Sequence, residues 1–240
     1  MVKAAQAVTA ARAQHTAAES PTPTPTPTPT SAHLSAGRAD QKRRTRAAIV
    51  DAARNLIRAG ADVSMPDVAR AAPVSEATAY RYFPDLASLL AEAMAGLWPE
   101  PAETLRPVAG SGDAVERVAF AAEHLLRQVL RYQCAVRTMI AATITRPAAA
   151  ATRPGLRFGL IEYALTPLAD TLARTSPERL TRLQRDLAVV VSAEALFTLT
   201  DLCGLNPDAA VASTVRAATT LTEAALAEVA LTEAALHDAE

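Results

Sequence analysis

Basic and hydroxyl-bearing residues are concentrated in one stretch of this sequence. From Arg38 to Arg58 there are seven arginines and lysines against two aspartates, and hydroxyl groups follow at Ser75, Thr78 and Tyr80. Guanidinium groups and hydroxyls are common phosphate contacts in nucleic-acid complexes. The formal net charge of the whole chain is only −1, so an attraction to nucleic acid must come from this local cluster.

Short helices are predicted to position these side chains. Apolar residues recur at helical spacing from Ile49 onward, and Gly60 follows as a C-terminal stop. Ser64 and Ser75 each precede a short helical pattern, where a serine hydroxyl can accept from the free amides of the first turn. A helix from Glu76 to Tyr82 could then enter a major groove while the helix before it crosses the DNA backbone.

The spacing of these residues resembles a known DNA-binding domain. The pattern is Ser64-x-x-x-Val68-Ala69-x-x-Ala72-Pro73-Val74-Ser75-x-x-Thr78-x-Tyr80-Arg81-Tyr82-Phe83. It is similar to the helix-turn-helix of the tetracycline-repressor (TetR) family, and the resemblance covers about Arg43 to Met94. It implies a dimeric DNA-binding regulator of transcription, usually a repressor that a small-molecule effector releases from its operator.

The resemblance also implies roles for individual residues. Base edges would be met by Glu76, which can accept from a cytosine amino group, and by Ala77, which can touch a thymine methyl group. Phosphate contacts are implied for Thr45, Ser64, Thr78 and Tyr80. The full set of predicted DNA-binding residues is Arg43, Arg44, Thr45, Ser64, Ser75, Glu76, Ala77, Thr78, Tyr80 and Arg81.

Two positions depart from the family pattern. Pro73 stands in the turn where the family usually has glycine, and proline cannot adopt a left-handed φ. Leu86 replaces the lysine usually found at the start of the fourth helix, which removes a phosphate contact. A helical interaction protein that has lost DNA binding is therefore the alternative. Tyr82 and Phe83 are expected in the core, where they close the module against the first helix.

The whole sequence predicts an all-α protein with two ordered parts, because alanine and leucine dominate and strand-like alternation is almost absent. Five consecutive Pro-Thr pairs span Pro21 to Thr30, so residues 1–38 are predicted to be a disordered tail, with order beginning near Ala39. Residues 39–97 would form the helix-turn-helix domain. Residues 98–240 would form a helical domain for effector binding and dimerisation.

The second domain is predicted to contain several longer helices. They run from Val115 to Val129, about Val136 to Thr145, about Leu156 to Thr175 with a kink near Pro167, about Glu178 to Cys203, and Asp208 to about Leu236. The last two carry small and apolar residues on more than one face, which suits a four-helix interface with a second copy. Burial within one subunit is the alternative. A two-fold dimer would read a near-palindromic operator.

An effector pocket is expected among the helices from residue 113 to residue 175. Apolar pockets need a few polar groups to orient a ligand. The predicted lining residues are Phe120, His124, Arg127, Met139, Phe158 and Tyr163. A solvated or hydrogen-bonded role for His124 stays open, and the residues do not identify the ligand beyond favouring an apolar small molecule.

Enzymatic and membrane functions are not indicated. An enzyme in a helical bundle would need Glu-x-x-His spacing or a nucleophile beside a base, and the four histidines are scattered. Cys134 and Cys203 lack metal-ligand spacing, so reduced thiols are expected, with no cofactor and no metal site. No uncharged stretch approaches the ~20 residues of a spanning helix, and a cytoplasmic protein is expected.

Overall fold

The computed structural model describes residues 31–145 and 155–237 and is helical through most of both ranges. No strand occurs in these residues, which confirms the all-α prediction. The helices are α1 (Ser31–Arg58), α2 (Met65–Ala71), α3 (Glu76–Tyr82), α4 (Leu86–Ala95), α5 (Pro101–Thr104), α6 (Ala114–Arg131), α7 (Gln133–Thr145), α8 (Leu156–Ala164), α9 (Thr166–Thr175), α10 (Pro177–Val190), α11 (Ala193–Phe197) and α12 (Pro207–His237), with a 3₁₀ turn at Arg106–Val108 and a π-helical segment at Thr198–Leu202.

Local capping signals set the limits of the first four helices. Gly60 follows α1 with a φ of 71°, a left-handed conformation that residues with a Cβ rarely adopt. Ser64, Ser75 and Asp85 each accept a hydrogen bond from the backbone N–H three residues later, at the starts of α2, α3 and α4. The predicted start of α2 and both predicted limits of α3 are therefore confirmed. Phe83, only 1% exposed, lies in the core of this module.

The first helix begins earlier than the composition suggests. Order was expected near Ala39, but α1 already begins at Ser31, so the prediction of a disordered tail is wrong for residues 31–38. No proline lies between Ser31 and Arg58, so every residue of this stretch can donate its backbone N–H to the helix. The Pro-Thr pairs lie outside the described residues.

The helix-turn-helix module and the following helices share one core. The chain divides after Gln41 into two units, and the described part of the first is the beginning of α1. The predicted boundary near residue 97 falls inside the second unit. There, buried residues of α4 such as Leu90 and Met94 belong to the same apolar cluster as Val129 and Met139.

The body of the second unit is built around α6. This helix buries Val118, Ala122, Leu125 and Leu126 along one face, and α12 packs along it. A second apolar cluster joins α6 to α8 and α10. These contacts place the first half of α12 inside the subunit, with Ala210 and Ala218 fully buried.

Two long helices expected from the sequence are divided in the structure. The segment from Leu156 to Thr175 breaks at Leu165, close to the predicted kink, because Pro167 lies in the first turn of α9 and has no amide hydrogen to donate. The predicted single helix from Glu178 to Cys203 is wrong. It ends at Val190, and the Ser192 hydroxyl then accepts from Ala195 N at 3.0 Å and starts α11.

Candidate DNA-binding surface and internal cavity

The third helix presents most of its predicted contact residues on one exposed face. Glu76, Ala77, Tyr80 and Arg81 are all exposed, and Tyr80 retains 49% of its accessible surface. The opposite side is anchored by Ala79, which is fully buried. Because residues four apart lie together on a helix, the exposed face forms a continuous surface that a major groove could receive.

Two hydroxyl groups at the start of α3 are linked to each other. The Ser75 hydroxyl accepts from Thr78 N at 3.2 Å and donates to Thr78 Oγ1 at 2.9 Å. Since the Thr78 oxygen accepts this hydrogen, its own hydrogen remains available to a phosphate. The Ser75 hydroxyl therefore orients the Thr78 hydroxyl, and both residues are predicted DNA contacts.

Ser64 is held in a different way at the start of α2. Its hydroxyl donates to Asp67 Oδ2 at 2.5 Å and accepts from Asp67 N at 3.3 Å. Arg70 pairs with the same carboxylate at 2.8 Å. The Ser64 hydrogen bond, followed by that of Arg70, lowers the pKa of Asp67 below its ordinary value. A phosphate contact by Ser64 would have to compete with this carboxylate.

The basic residues of α1 divide into two groups. Arg43 and Arg44 are exposed beside the half-buried Thr45. Arg46 instead faces the module: it pairs with Glu92 of α4, donates to the Tyr82 carbonyl oxygen at 3.2 Å, and lies 4.3 Å from the centroid of the Phe83 ring. Arg46 thus connects α1, α3 and α4, a role that the sequence pattern did not reveal.

The two positions that depart from the family pattern are accommodated locally. At the end of α2, Ala72 N bonds to Val68 O at 2.8 Å and Val74 N bonds to Ala69 O at 3.0 Å, so the turn closes around Pro73 without a left-handed glycine. Leu86 is half-buried and packs against the apolar core. Neither substitution disrupts the helix-turn-helix.

A cavity of about 90 Å³ lies beneath the module, between its fourth helix and the body. Met94 at the end of α4 and Trp98 just after it form one side. Leu125 and Val129 of α6, Val136, Met139 and Ile140 of α7, Leu156 and Arg157 of α8, and the Ser192–Glu194 segment form the rest. Most of this lining is apolar.

Buried polar atoms without partners gather around this cavity. Trp98 Nε1 and Arg157 Nε have no hydrogen-bond partner among the described residues, and both side chains line the cavity. His124 Nε2 is likewise unpaired. His124 and Trp98 line a smaller neighbouring space that shares Leu125 and Leu156 with the cavity. Burial lowers the pKa of His124, which favours the neutral imidazole.

The structure brings together only part of the predicted effector pocket. Met139 lines the main cavity and His124 the smaller one. Phe120 stacks on His124 with ring centroids 6.4 Å apart but lines neither space. The other three predicted lining residues lie elsewhere: Arg127 pairs with Asp208 and Glu123 at the surface, Phe158 is 55% exposed, and the partly buried Tyr163 lines a separate pocket beside Pro101 and Thr166.

The principal polar residues of the cavity were absent from the sequence prediction. Trp98 follows α4, and Arg157 and Glu194 come from helices far apart in the chain, joined by an ion pair at 3.3 Å. The only sequence signal was that Trp98 is the single tryptophan of the chain. Within residues 31–145 and 155–237, no three His, Cys, Asp or Glu residues are grouped so as to hold a metal ion.

Comparison with known proteins assigns the amino-terminal module. The family described as bacterial regulatory proteins, tetR family, matches residues 49–93, which include α2, α3 and nearly all of α4. No curated protein matches the chain. In the described residues, none of the helices combines the length and hydrophobicity needed to cross a bilayer. At residues 49–93 the chain therefore carries a domain of the tetR family of bacterial regulatory proteins, which indicates a DNA-binding regulator of transcription.

Proposed function

We propose that this regulator is a repressor that binds a near-palindromic operator as a homodimer and leaves it when a small molecule enters the internal cavity. The observation that carries the proposal is the double role of α4. Met94 on this helix lines the cavity. On the same helix, Glu92 pairs with Arg46 and the Ala93 carbonyl oxygen accepts from Arg54 Nε at 3.2 Å. A ligand that displaces α4 would therefore displace α1 and the helices attached to it.

The DNA-binding part of the proposal uses the exposed face of α3. Glu76 and Ala77 would meet base edges, while Ser75, Thr78, Tyr80 and Arg81 would contact the backbone. Arg43, Arg44 and Thr45 of α1 would add phosphate contacts, and Ser64 would contribute one at the start of α2. Arg46 is assigned to positioning, since its guanidinium already contacts Glu92 and Tyr82.

The dimer part of the proposal rests on the outer faces of α10 and α12. Buried residues of α12 face α6 and α10. Its other face exposes small residues, including Ala217, Ala224 and Ala227. Two large apolar side chains on these helices, Val189 and Leu231, are each 72% exposed. A second copy that packs on these helices would cover both, as a four-helix interface requires.

The proposal is tested by selecting bound sequences from a random duplex pool with the full-length protein and titrating the selected duplex at two salt concentrations. A palindrome bound with a steep salt dependence is expected, because arginines that contact phosphate release counterions. Tyr80→Ala and Arg44→Ala should each weaken operator binding. Arg106→Ala removes a charge from the exposed 3₁₀ turn of the body and should leave affinity unchanged, which makes it the matched control.

Failure of the selection would favour the second candidate function. If no sequence is enriched even at low salt, the chain is a helical interaction protein whose helix-turn-helix no longer binds DNA. Enrichment of a single, non-repeated half-site would instead contradict the dimer. Sedimentation tests the dimer directly. The unmodified protein should sediment as a dimer, and the Ala224→Glu variant as a monomer, since a charge on the outer face of α12 should dissociate a dimer that uses this face.

A further inference from the structure

We propose that the cavity ligand is a small, mainly apolar molecule with one neutral acceptor oxygen, of the kind found in ketones and esters. The inference deepens the proposed control of DNA binding and rests on it. It specifies the chemistry that Trp98, Arg157 and Glu194 would recognise, which the sequence pattern left open.

The apolar part of the ligand follows from the walls of the cavity. Leu125, Val129, Val136 and Met139 are buried and present only carbon and sulfur atoms. Burial of apolar ligand surface against them contributes about 25 cal/mol for each Å² removed from water. A ligand rich in polar groups would lose its hydration here without gaining partners.

The acceptor oxygen follows from two unsatisfied donors. An indole Nε1 and a guanidinium Nε each carry a hydrogen and cannot accept one. Both atoms are buried at the cavity in Trp98 and Arg157 without partners among the described residues. A buried donor that lacks a partner is costly, typically about 1–3 kcal/mol. A ligand oxygen that accepts from either donor removes that cost, whereas a hydrocarbon of the same shape does not.

The neutrality of the ligand follows from the Arg157–Glu194 pair. Arg157 Nη1 lies 3.3 Å from Glu194 Oε2, and Glu194 also lines the cavity. The two opposite charges compensate each other. A carboxylate ligand would have to compete with Glu194 for the guanidinium and would lose hydration against the apolar walls. A carbonyl oxygen accepts from Nε without this competition.

The test uses three probes on the full-length protein: cyclohexanone, methylenecyclohexane, which has the same shape with CH₂ in place of the oxygen, and the larger anion cyclohexanecarboxylate. Trp98 is the single tryptophan of the chain, so the ¹⁵N-labelled protein shows one indole N–H resonance, which reports on the proposed donor. Cyclohexanone should move its proton signal downfield in a saturable manner and bind about fivefold more tightly than methylenecyclohexane, as expected for one added hydrogen bond. The carboxylate should bind most weakly.

A pair of double variants identifies the second donor. Arg157→Met with Glu194→Gln removes the guanidinium together with the charge of its partner, and should reduce the preference for cyclohexanone over methylenecyclohexane at least twofold. The matched control is Arg127→Met with Asp208→Asn, the same chemical changes at an exposed ion pair. The control should leave this preference unchanged.

The outcomes separate this inference from the proposed function. Equal affinity for the ketone and the hydrocarbon, tighter binding of the carboxylate, or no shift of the indole resonance overturns the ligand class. None of these results affects operator binding, which the duplex selection measures without a probe. Conversely, a protein that binds cyclohexanone as expected but enriches no DNA sequence would retain the ligand site and lose the proposed repressor function.

Discussion

The helix caps of the helix-turn-helix module and the buried arginine of the helical body differ in the range over which they act. In the module, Ser64, Ser75 and Asp85 bond to backbone amides three residues away. In the body, Arg117 of α6 donates to the carbonyl oxygens of Tyr163 and Ala164, 46 and 47 residues further along the chain. Short-range bonds set the limits of single helices, whereas long-range bonds hold different helices together. Four experiments probe this difference.

The largest effect is expected from Phe83→Ala in the module. Phe83 is 1% exposed and lies under the Arg46 guanidinium, so its removal leaves a cavity and should reduce the free energy of unfolding by about 3–5 kcal/mol. Denaturant titration measures the change. Tyr80→Ala, three residues earlier on the exposed face of α3, should change stability by about 0.5 kcal/mol or less. Equal losses would mean that Tyr80 is also part of the core.

Arg117→Met should have the largest polar effect in the body. Arg117 is 4% exposed and donates to the carbonyl oxygens of Val108 and Ala109, both at 3.2 Å, as well as to those of α8. Methionine fills similar space but removes four hydrogen bonds to these carbonyl oxygens, at a cost of about 3 kcal/mol. Tyr163 O retains Thr166 Oγ1 as a donor and Val108 O retains Ser111 N. Arg127→Met on the exposed side of the same helix should cost about 1 kcal/mol or less. A loss below 1 kcal/mol for Arg117→Met in denaturant titration would show that these carbonyl oxygens find other donors.

A smaller effect is expected when a local cap is removed. Asp85 Oδ1 accepts from Ser88 N and from the Ser88 hydroxyl, both at 2.8 Å. Asp85→Ala should therefore reduce the free energy of unfolding by about 1 kcal/mol. Asp85→Asn retains a capping oxygen and should lose only a few tenths of this amount. If both variants lost equal stability in thermal unfolding, the charge rather than the hydrogen bond would stabilise α4.

The smallest effect is the pH dependence due to His124. Burial lowers its pKa from an ordinary value of 6.5, so the unfolded chain binds a proton more readily than the folded chain. Stability is therefore lost as the pH falls below about 6.5. Thermal unfolding of His124→Leu should show a smaller decrease between pH 7.5 and pH 5.5 than that of the unmodified protein. An identical decrease would assign the acid sensitivity to other groups.

The sequence predicted some of the local caps and missed others. The starts of α2 and α3 were predictable because Ser64 and Ser75 are caps whose partners lie three residues away. The continuous helix predicted from Glu178 to Cys203 was wrong because Ser192 caps a new helix inside an apolar stretch, where no proline or glycine marked the break. The start of α1 was missed because the adjacent Pro-Thr pairs suggested a longer tail.

The cavity shows where sequence reasoning reached its limit. Met139 and His124 each line a cavity, since they lie on buried or partly buried faces of α7 and α6. Arg127 was misplaced because its helical face alone does not reveal Asp208 of α12, which pairs with it at the surface. Trp98, Arg157 and Glu194 were missed because they are distant in sequence and meet only after α4, α8 and α11 have packed.

The sequence by itself determined the helical class, the helix-turn-helix and the DNA-binding assignment, because apolar periodicity, helix caps and the spacing of the motif are each encoded in residues that are close in the chain. Only the tertiary structure decided that Arg46 joins α1 to α4, that Arg117 supports the body, and that Trp98 and Arg157 bring unsatisfied donors to one cavity. The physical reason is that burial and hydrogen-bond satisfaction depend on neighbours from distant helices, and these neighbours are set by the packing of the whole chain.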